Sequence, residues 1–431
     1  MTLPAGWSWT KVNQIATLIR GVSYKKSEVV EAPKEGFVPI LRATNIQDEK
    51  LILDSDLVYA PEERVKQEQK LTPGDVVICI SSGSKHLVGK AAQLTKEWDG
   101  SFGTFCAAAR FSPGVNPQYA GFFFSSPNYR EEIRKKSSGI NINNLRASDI
   151  AEIAFPLPPL PEQERIVARI EELFTQLDAG VASLRRVQAA LKRYKVSVLK
   201  AAVEGRLRNG KSGIEYEELP EGWRWVTIGD ITASMKNGLY KPREFYADEG
   251  VACLRMYNIE DGEIVWKDIK RMVLTEDELE TYRLIPGDIL VNRVNSRELV
   301  GKAAVIPSGL ETIVYESKNI RLRIKQDLAD SHYINFCFGD FRRNYFNFHA
   351  QQVVGMASIN QTQISEMPIP LPPLHEQQLI VAEVERRLSL VLQIEAAVEA
   401  GLKRAERLRQ AILKRAFEGK LVEQHPEDED A

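Results

Sequence analysis

Gly205-Arg206-Leu207-Arg208-Asn209-Gly210-Lys211-Ser212 has the spacing of a phosphate-cradling loop, G-x-x-x-x-G-K-S. Such a loop works when a buried strand leads into it and a helix leads out, so that backbone amides and the helix dipole face the phosphates. Here a helix-forming stretch, Val198 to Glu204, comes before, and Gly213-Ile214-Glu215-Tyr216-Glu217 follows. The segment therefore reads as a linker rich in Gly, Arg and Lys. Other catalytic spacings are missing as well. A DNA methyltransferase needs a Gly-rich cofactor turn and an Asn- or Asp-Pro-Pro-aromatic strand end, but the Pro-Pro pairs at 158–159 and 372–373 lie in Leu-Pro-Pro-Leu. There is no His-x-x-x-His, no Gly-x-Ser-x-Gly and no carboxylate cluster of nuclease spacing. Cys79, Cys106, Cys253 and Cys337 are scattered, which excludes a zinc site and a disulfide framework and points to a reducing compartment. The sequence assigns no catalytic, cofactor-binding or metal-ligating residue, and the chain reads as non-catalytic.

The leading reading is a binding protein, the alternatives being a scaffold that binds protein instead of DNA and a solitary DNA-modifying enzyme with an unrecognised active site, and composition sets its limits. With 431 residues, 43% hydrophobic and 27% charged, the chain is long enough for two or more folded domains. Its 57 basic and 59 acidic residues give a net charge of −2, which argues against a freestanding nucleic-acid binder. Any such surface must come from uneven placement of charge. Met1 to Ile15 has no charged-then-apolar leader, and no run of about 18 apolar residues occurs, so a soluble, cytoplasmic protein is expected.

The elements that must position a binding surface appear twice. Leu3-Pro4-x-Gly6-Trp7-x-Trp9 returns as Leu219-Pro220-x-Gly222-Trp223-x-Trp225, an offset of 216. Arg42-x-x-Asn45-Ile46 returns as Arg255-x-x-Asn258-Ile259, and Pro73-Gly74-Asp75 as Pro286-Gly287-Asp288, both at 213. Val88-Gly89-Lys90-Ala91-Ala92 returns at 212 as Val300 to Ala304. Pro156-Leu157-Pro158-Pro159-Leu160-x-Glu162-Gln163 and Leu199-Lys200-x-Ala202-x-Glu204-Gly205-x-Leu207 both return at 214, as Pro370 to Gln377 and Leu413 to Leu421. Six collinear blocks make a tandem duplication, and the period is far too long for a solenoid unit of about 20–50 residues.

Each copy changes character midway. The first part mixes short apolar runs with turn signals: Asp75 to Ile80 and Asp288 to Val291 read as buried strands, and Pro117 to Lys135 and Leu328 to Asn347 as short helices. An α+β lobe is expected. The Pro-Leu-Pro-Pro-Leu lead-in is stiff and extended, and Pro161-Glu162-Gln163-Glu164 starts a helix well. Ile170, Leu177, Leu184, Leu191 and Val198 then recur every seven residues, as do Val384, Val391, Val398, Ala405 and Ile412. Gly205 and Gly419 are plausible stops. Two such helices, each on the order of 65–70 Å long, bury their seams most simply against each other, as an antiparallel coiled coil holding two lobes apart about a pseudo-twofold axis. The expected segments are a first lobe (1–155), lead-in and helix (156–207), linker (208–218), second lobe (219–367), lead-in and helix (368–421) and an acidic tail (422–431) with no evident role.

This order of lobe, Pro-Leu-Pro-Pro-Leu-x-Glu-Gln and long helix, given twice, resembles the specificity subunit of Type I restriction-modification enzymes over essentially the whole chain. The junctions Pro156–Gln163 and Pro370–Gln377 and the helix ends Leu199–Leu207 and Leu413–Leu421 carry the resemblance best. It implies that each lobe is a target-recognition domain reading one half of a split site in double-stranded DNA. The helices would set the spacing, and methyltransferase and restriction-translocase subunits would assemble around them. S-adenosylmethionine, ATP and magnesium would belong to those partners, with no cofactor on this chain. A duplicated protein suits the symmetry of duplex DNA, and the divergence of the lobes implies unlike half-sites.

Under that resemblance the DNA contacts have local candidates. Lys and Arg suit phosphates, whereas Arg, Asn and Gln pair with base edges in the major groove. In the first lobe these are Ser82, Ser84 and Lys85 after the Pro-Gly-Asp strand, then Arg134, Lys135, Lys136, Asn141, Asn143 and Asn144, flanked by Arg130 and Arg146. In the second they are Arg293, Asn295 and Arg297, then Arg342, Arg343, Gln351, Gln352, Asn360 and Gln361. The bland alternative for each is a solvated surface polar or a helix cap. Lys90 and Lys302 are either phosphate contacts or turn residues, and Arg42 and Arg255 read as structural.

Overall fold

The computed structural model describes residues 3–82, 87–136, 144–209, 219–353, 356–425 and 427–428. The chain divides into two compact units of mixed helix and sheet. One joins Met1–Arg185 to Glu399–Ala431, and the other is Arg186–Val398. Both long helices are divided between the units, the larger part of Leu160–Val203 falling in the first and the larger part of Leu374–Phe417 in the second.

In the first unit, the turn at Gly74 (φ +97°) delivers the strand Val76–Cys79, whose four residues are all buried. It lies between Cys106–Phe111 and Ala91–Gln93 in an antiparallel sheet completed by Ala16–Arg20. A second sheet pairs Phe37–Leu41 antiparallel to Val58–Pro61 and parallel to Ser101–Phe102. The opening strand Ser8–Lys11 pairs with Ala154–Leu157, directly ahead of the long helix. The single helix expected over Pro117 to Lys135 is two, Pro117–Ser125 and Pro127–Lys136. Pro127 has no N–H to continue the first helix and drives Ser126 to an extended backbone, φ −82° and ψ 157°.

The second unit repeats this plan. Thr232–Asn237, Asn319–Ile324, Ile289–Asn292 and Ala303–Val305 form the antiparallel sheet in that order, and Arg224–Thr227 pairs with Pro368–Leu371. Val251–Leu254 runs parallel to Ile313–Tyr315 and antiparallel to Lys270–Met272. The helix that follows, Ser331–His349, is unbroken and starts at Asp330, whose carboxylate accepts the His332 and Tyr333 N–H groups. A three-stranded sheet of Val294–Asn295, Met356–Ser358 and Gln351–Val353 is added.

The long helices are Leu160–Val203 and Leu374–Phe417, 44 residues each and therefore about 66 Å long. Their heptad residues Ile170, Leu191, Val198, Val384, Val391, Val398 and Ala405 are buried. In the first unit the two helix portions run antiparallel, since Asp178 pairs with Arg409 while Leu184 lies against Gly401. In the second unit Lys195 meets Glu395 at 2.8 Å while Ala202 and Ile380 line one small hollow, so these portions are antiparallel too. Each lobe core takes in both helices. Tyr119 and Phe123 pack on Phe417 with ring centres 5.1 and 5.3 Å apart, and Trp223 and Tyr333 share a cluster with Val198, Ala202, Ile380 and Val384.

Gly205 and Gly419 end these helices at φ +68° and +66°, each against a proline of the Gly-Trp opening, Pro220 and Pro4. Helix therefore precedes Gly205, as the linker reading requires; Gly210 to Ser212 lie outside the described residues. Among the described residues, no helix is long and apolar enough to cross a membrane.

Candidate nucleic-acid interface

The Pro-Gly-Asp motifs anchor the start of the strands that lead to the candidates. The buried Asp75 carboxylate takes two bonds from Arg110, Nε at 2.9 Å and Nη2 at 2.7 Å, and Asp288 takes the same two from Arg323 at 2.8 and 3.0 Å. Those carboxylates raise both guanidinium pKa values above the ordinary arginine range. Each aspartate also accepts a backbone N–H from its own turn, Thr72 at 2.8 Å and Ile285 at 3.0 Å.

In the second lobe the candidates come together at the far end of the strand Ile289–Asn292. The Arg293 N–H donates to the Lys318 carbonyl at 2.8 Å, and the Arg293 carbonyl accepts the Ile359 N–H at 2.9 Å. Val294 and Asn295 pair with Ser358 and Ala357, which in turn face Gln351 and Gln352 across the added sheet. Gln361 closes the cluster by donating to Asn237 Oδ1 at 3.0 Å. Segments about 60 residues apart thus build one surface, with the exposed Arg297 in its loop. Arg342 and Arg343 lie on the helix Ser331–His349 leading to it; their side chains, like those of Gln351 and Gln352, are outside the description.

Two candidates take structural parts. Asn295 is only 7% exposed; its amide donates to Asn292 Oδ1 at 2.8 Å and its oxygen accepts the Ser296 N–H at 2.8 Å. With both polar ends used inside the lobe, it is corrected from a base-reading candidate to a buried strut. Asn360 caps the helix Gln361–Ser365 by accepting the Gln363 N–H at 2.9 Å. Arg293 is half-buried.

The first lobe repeats the convergence. Ser81 bridges Asn144 and bonds to it side chain to side chain, and the Leu145 N–H donates to the Ile80 carbonyl at 2.7 Å. This joins the start of the Ser82 loop to the end of the Asn-rich segment. Ser84, Lys85, Asn141 and Asn143 lie outside the described residues, whereas Ser82 is half-buried and Asn144 exposed. Arg134, Lys135 and Lys136 form the last turn of Pro127–Lys136. Glu132 and then Glu131, at 3.0 and 3.3 Å, raise the Lys135 pKa, so part of this charge is spent within the helix.

Lys90 and Lys302 occupy equivalent turns. Their carbonyls accept the Cys79 and Asn292 N–H groups, each at 2.8 Å. Lys90 is exposed and Lys302 half-buried. Arg42 and Arg255 are structural: each guanidinium donates to a loop carbonyl, Asp56 at 2.8 Å and Asp268 at 2.9 Å. The candidates did not include the exposed aromatic residues Phe105, Tyr240 and Phe348. Aligning the two copies residue by residue would have flagged Phe105, which falls opposite Lys318.

The buried thiols Cys106 and Cys253 are both pushed up to about 12, by burial above all, and so stay protonated. Among the described residues, no three His, Cys, Asp or Glu side chains are grouped as metal ligands.

The model of the Type I restriction modification DNA specificity domain matches this chain twice, at residues 4–183 and 220–404. The chain is 36% identical to the Type I restriction enzyme StySPI specificity subunit of Salmonella potsdam, over 98% of its own length and 90% of that protein. It is 34% identical, with the same coverage, to the EcoKI specificity subunit of Escherichia coli strain K12. Two solved structures share its fold at 20% identity. One is a chain from a study of complex assembly and conformational transition in the type I R-M system, with TM-score 0.71 over 97% of this chain and 100% of that one. The other is the HsdS subunit from Thermoanaerobacter tengcongensis, with TM-score 0.56 over 97% and 98%. With two matched domains and two relatives along nearly its full length, the chain belongs to the Type I restriction-modification DNA specificity subunits.

Proposed function

We propose that this chain reads a bipartite sequence in double-stranded DNA for a Type I restriction-modification complex, each lobe recognising one half-site. One observation carries the reading: in both lobes, the loop after the Pro-Gly-Asp strand is tied to the segment that follows the lobe's helices, by Ser81 with Asn144 and by Asn295 with Ala357. A repeated surface of polar and basic loops on rigid strands suits two related half-sites.

The two long helices then pack as an antiparallel coiled coil between the lobes of a tandem duplication, setting the gap between half-sites and docking the modification and restriction subunits. S-adenosylmethionine, ATP and magnesium stay with those partners, which supply the chemistry. They also supply positive charge, so a chain of net charge −2 is held on DNA by the assembly. The complex works in the cytoplasm, where buried, unpaired cysteines remain reduced.

The test is co-expression with the cognate methyltransferase subunit and mapping of methylated positions across the host DNA. A split motif of two unlike half-sites that disappears without this chain supports the proposal. Methylation that persists unchanged without it overturns it.

A further inference from the structure

One turn occurs in both lobes with the same backbone bonds and opposite side-chain chemistry. In the first lobe the Gly103 N–H donates to Leu41 at 2.9 Å, the Cys106 N–H to Gly103 at 2.9 Å, and the Phe105 carbonyl accepts the Ile80 N–H at 2.9 Å. In the second, the Glu316 N–H donates to Leu254 at 3.0 Å, the Asn319 N–H to Glu316 at 3.0 Å, and the Lys318 carbonyl accepts the Arg293 N–H at 2.8 Å. The parallel bridges Val22 to Gly103 and Leu239 to Glu316 repeat too. The backbone holds this position in one conformation while the side chain changes from phenylalanine to lysine.

A lone exposed aromatic residue needs no explanation, but the place of this one is informative. Phe105 is 63% exposed on a turn whose flanking strands are buried. Its carbonyl also takes the Ser81 N–H at 3.2 Å, so it stands where the Ser82 loop and Asn144 converge. In the major groove the distinctive apolar group is the C5-methyl of thymine, and it distinguishes A·T from T·A. We propose that Phe105 reads a thymine methyl group in the half-site of the first lobe. Lys318 cannot make that contact from the same backbone position, and this contributes to the difference between the half-sites. The inference rests on the DNA-reading role proposed above.

The test uses the full chain in its methyltransferase complex and synthetic duplexes of the mapped motif. Each thymine is replaced in turn by uracil, which removes only the methyl group, and methylation rates are compared for the wild type and Phe105→Ala. At one thymine, in one half-site, the wild type is expected to slow about fourfold, the worth of one buried methyl group. Phe105→Ala is expected to slow by about as much on the natural site and to be indifferent to uracil there, with the other half-site unaffected. The proposal is overturned if no thymine shows a methyl dependence in the wild type, or if that dependence survives in Phe105→Ala. Failure of the underlying reading looks different, because the methylation pattern would then not depend on this chain at all.

Discussion

The indole N–H of Trp7 donates to Glu162 Oε2 at 2.9 Å, locking the opening of the first lobe onto the start of its helix. The second copy keeps the tryptophan and the glutamate but not the bond: Trp223 has a buried indole N–H with no partner among the described residues, beside a small hollow also lined by Glu376. In the first copy the tail adds Gln424, donating to Glu162 Oε1 at 2.8 Å, and Asp428, paired with Arg165 at 2.5 Å. The tail, read from sequence as having no role, is fastened at these two residues.

The asymmetry gives a direct comparison. Trp7→Phe and Trp223→Phe remove the same atoms from equivalent, buried sites, so the difference between them isolates the hydrogen bond. Trp7→Phe is expected to cost about 1.5–3 kcal/mol more than Trp223→Phe, the usual worth of a bond to a charged group. Urea unfolding followed for each lobe measures it, and equal losses would refute the assignment.

Asp75 and Arg110 offer a second test, because breaking a buried pair costs more than replacing it. Arg110→Met leaves the buried Asp75 carboxylate without its partner and is expected to destabilise the first lobe by roughly 3 kcal/mol. Adding Asp75→Leu should recover much of that loss. A double variant less stable than Arg110→Met would count against the pair being the reason.

The turns holding Lys90 and Lys302 depend on glycine. Gly301 has φ +78°, and a Cβ there would lie 2.4 Å from the Phe346 ring; at Gly89, φ +82°, it would lie 2.7 Å from Ile133. Gly36, φ +74°, has open space. Gly36→Ala should cost about 1 kcal/mol for backbone conformation, and Gly301→Ala clearly more. Thermal unfolding of the three alanine variants ranks them.

Acid should expose one helix contact. Arg386 and then Arg387 hold the Glu383 carboxyl down to about 2, against an ordinary 4.5. A depressed carboxylate stabilises the fold above its unfolded value, and the effect fades as pH falls from about 4.5 toward 2. Glu383→Gln should remove that part of the pH dependence and leave stability below pH 2 unchanged. Because these groups are exposed, 1 M salt should shrink the effect.

If the helices set the gap between half-sites, a four-residue insertion in both, about 6 Å, should widen it by about two base pairs at 3.4 Å each. Methylation mapping of the insertion variant should show the same half-sites farther apart. Changed half-site sequences would contradict the division of labour between lobes and helices.

The sequence made some of this legible and hid the rest for physical reasons. Heptad residues such as Val384, Val391 and Val398 announce their burial because an apolar seam repeats with the helix. The break at Pro127 is equally readable, since a proline without an N–H ends the helix before it. Asn295 could not be read this way. Its neighbours Arg293 and Arg297 mark a polar loop, and only the tertiary fold brings Asn292 and Asn319 close enough to build a buried amide network. At the matching places the first lobe has Cys79 and Cys106, paired across the same two strands. One register thus accepts either chemistry, and a single copy does not say which. The Phe105 turn was hidden for a related reason, since its meaning lies in a comparison of backbones.

The first unit closes only when Leu413, Ala416 and Phe417 join Tyr119, Phe123 and Phe155 in its core. On a ribosome those residues emerge almost three hundred positions after Tyr119. The second unit, one uninterrupted stretch from Arg186 to Val398, has all its parts earlier. The lobe synthesised first is therefore finished last, against the usual N-to-C order of domain folding. In the interval its aromatic core lacks a wall, which makes the nascent first lobe a natural client for chaperones.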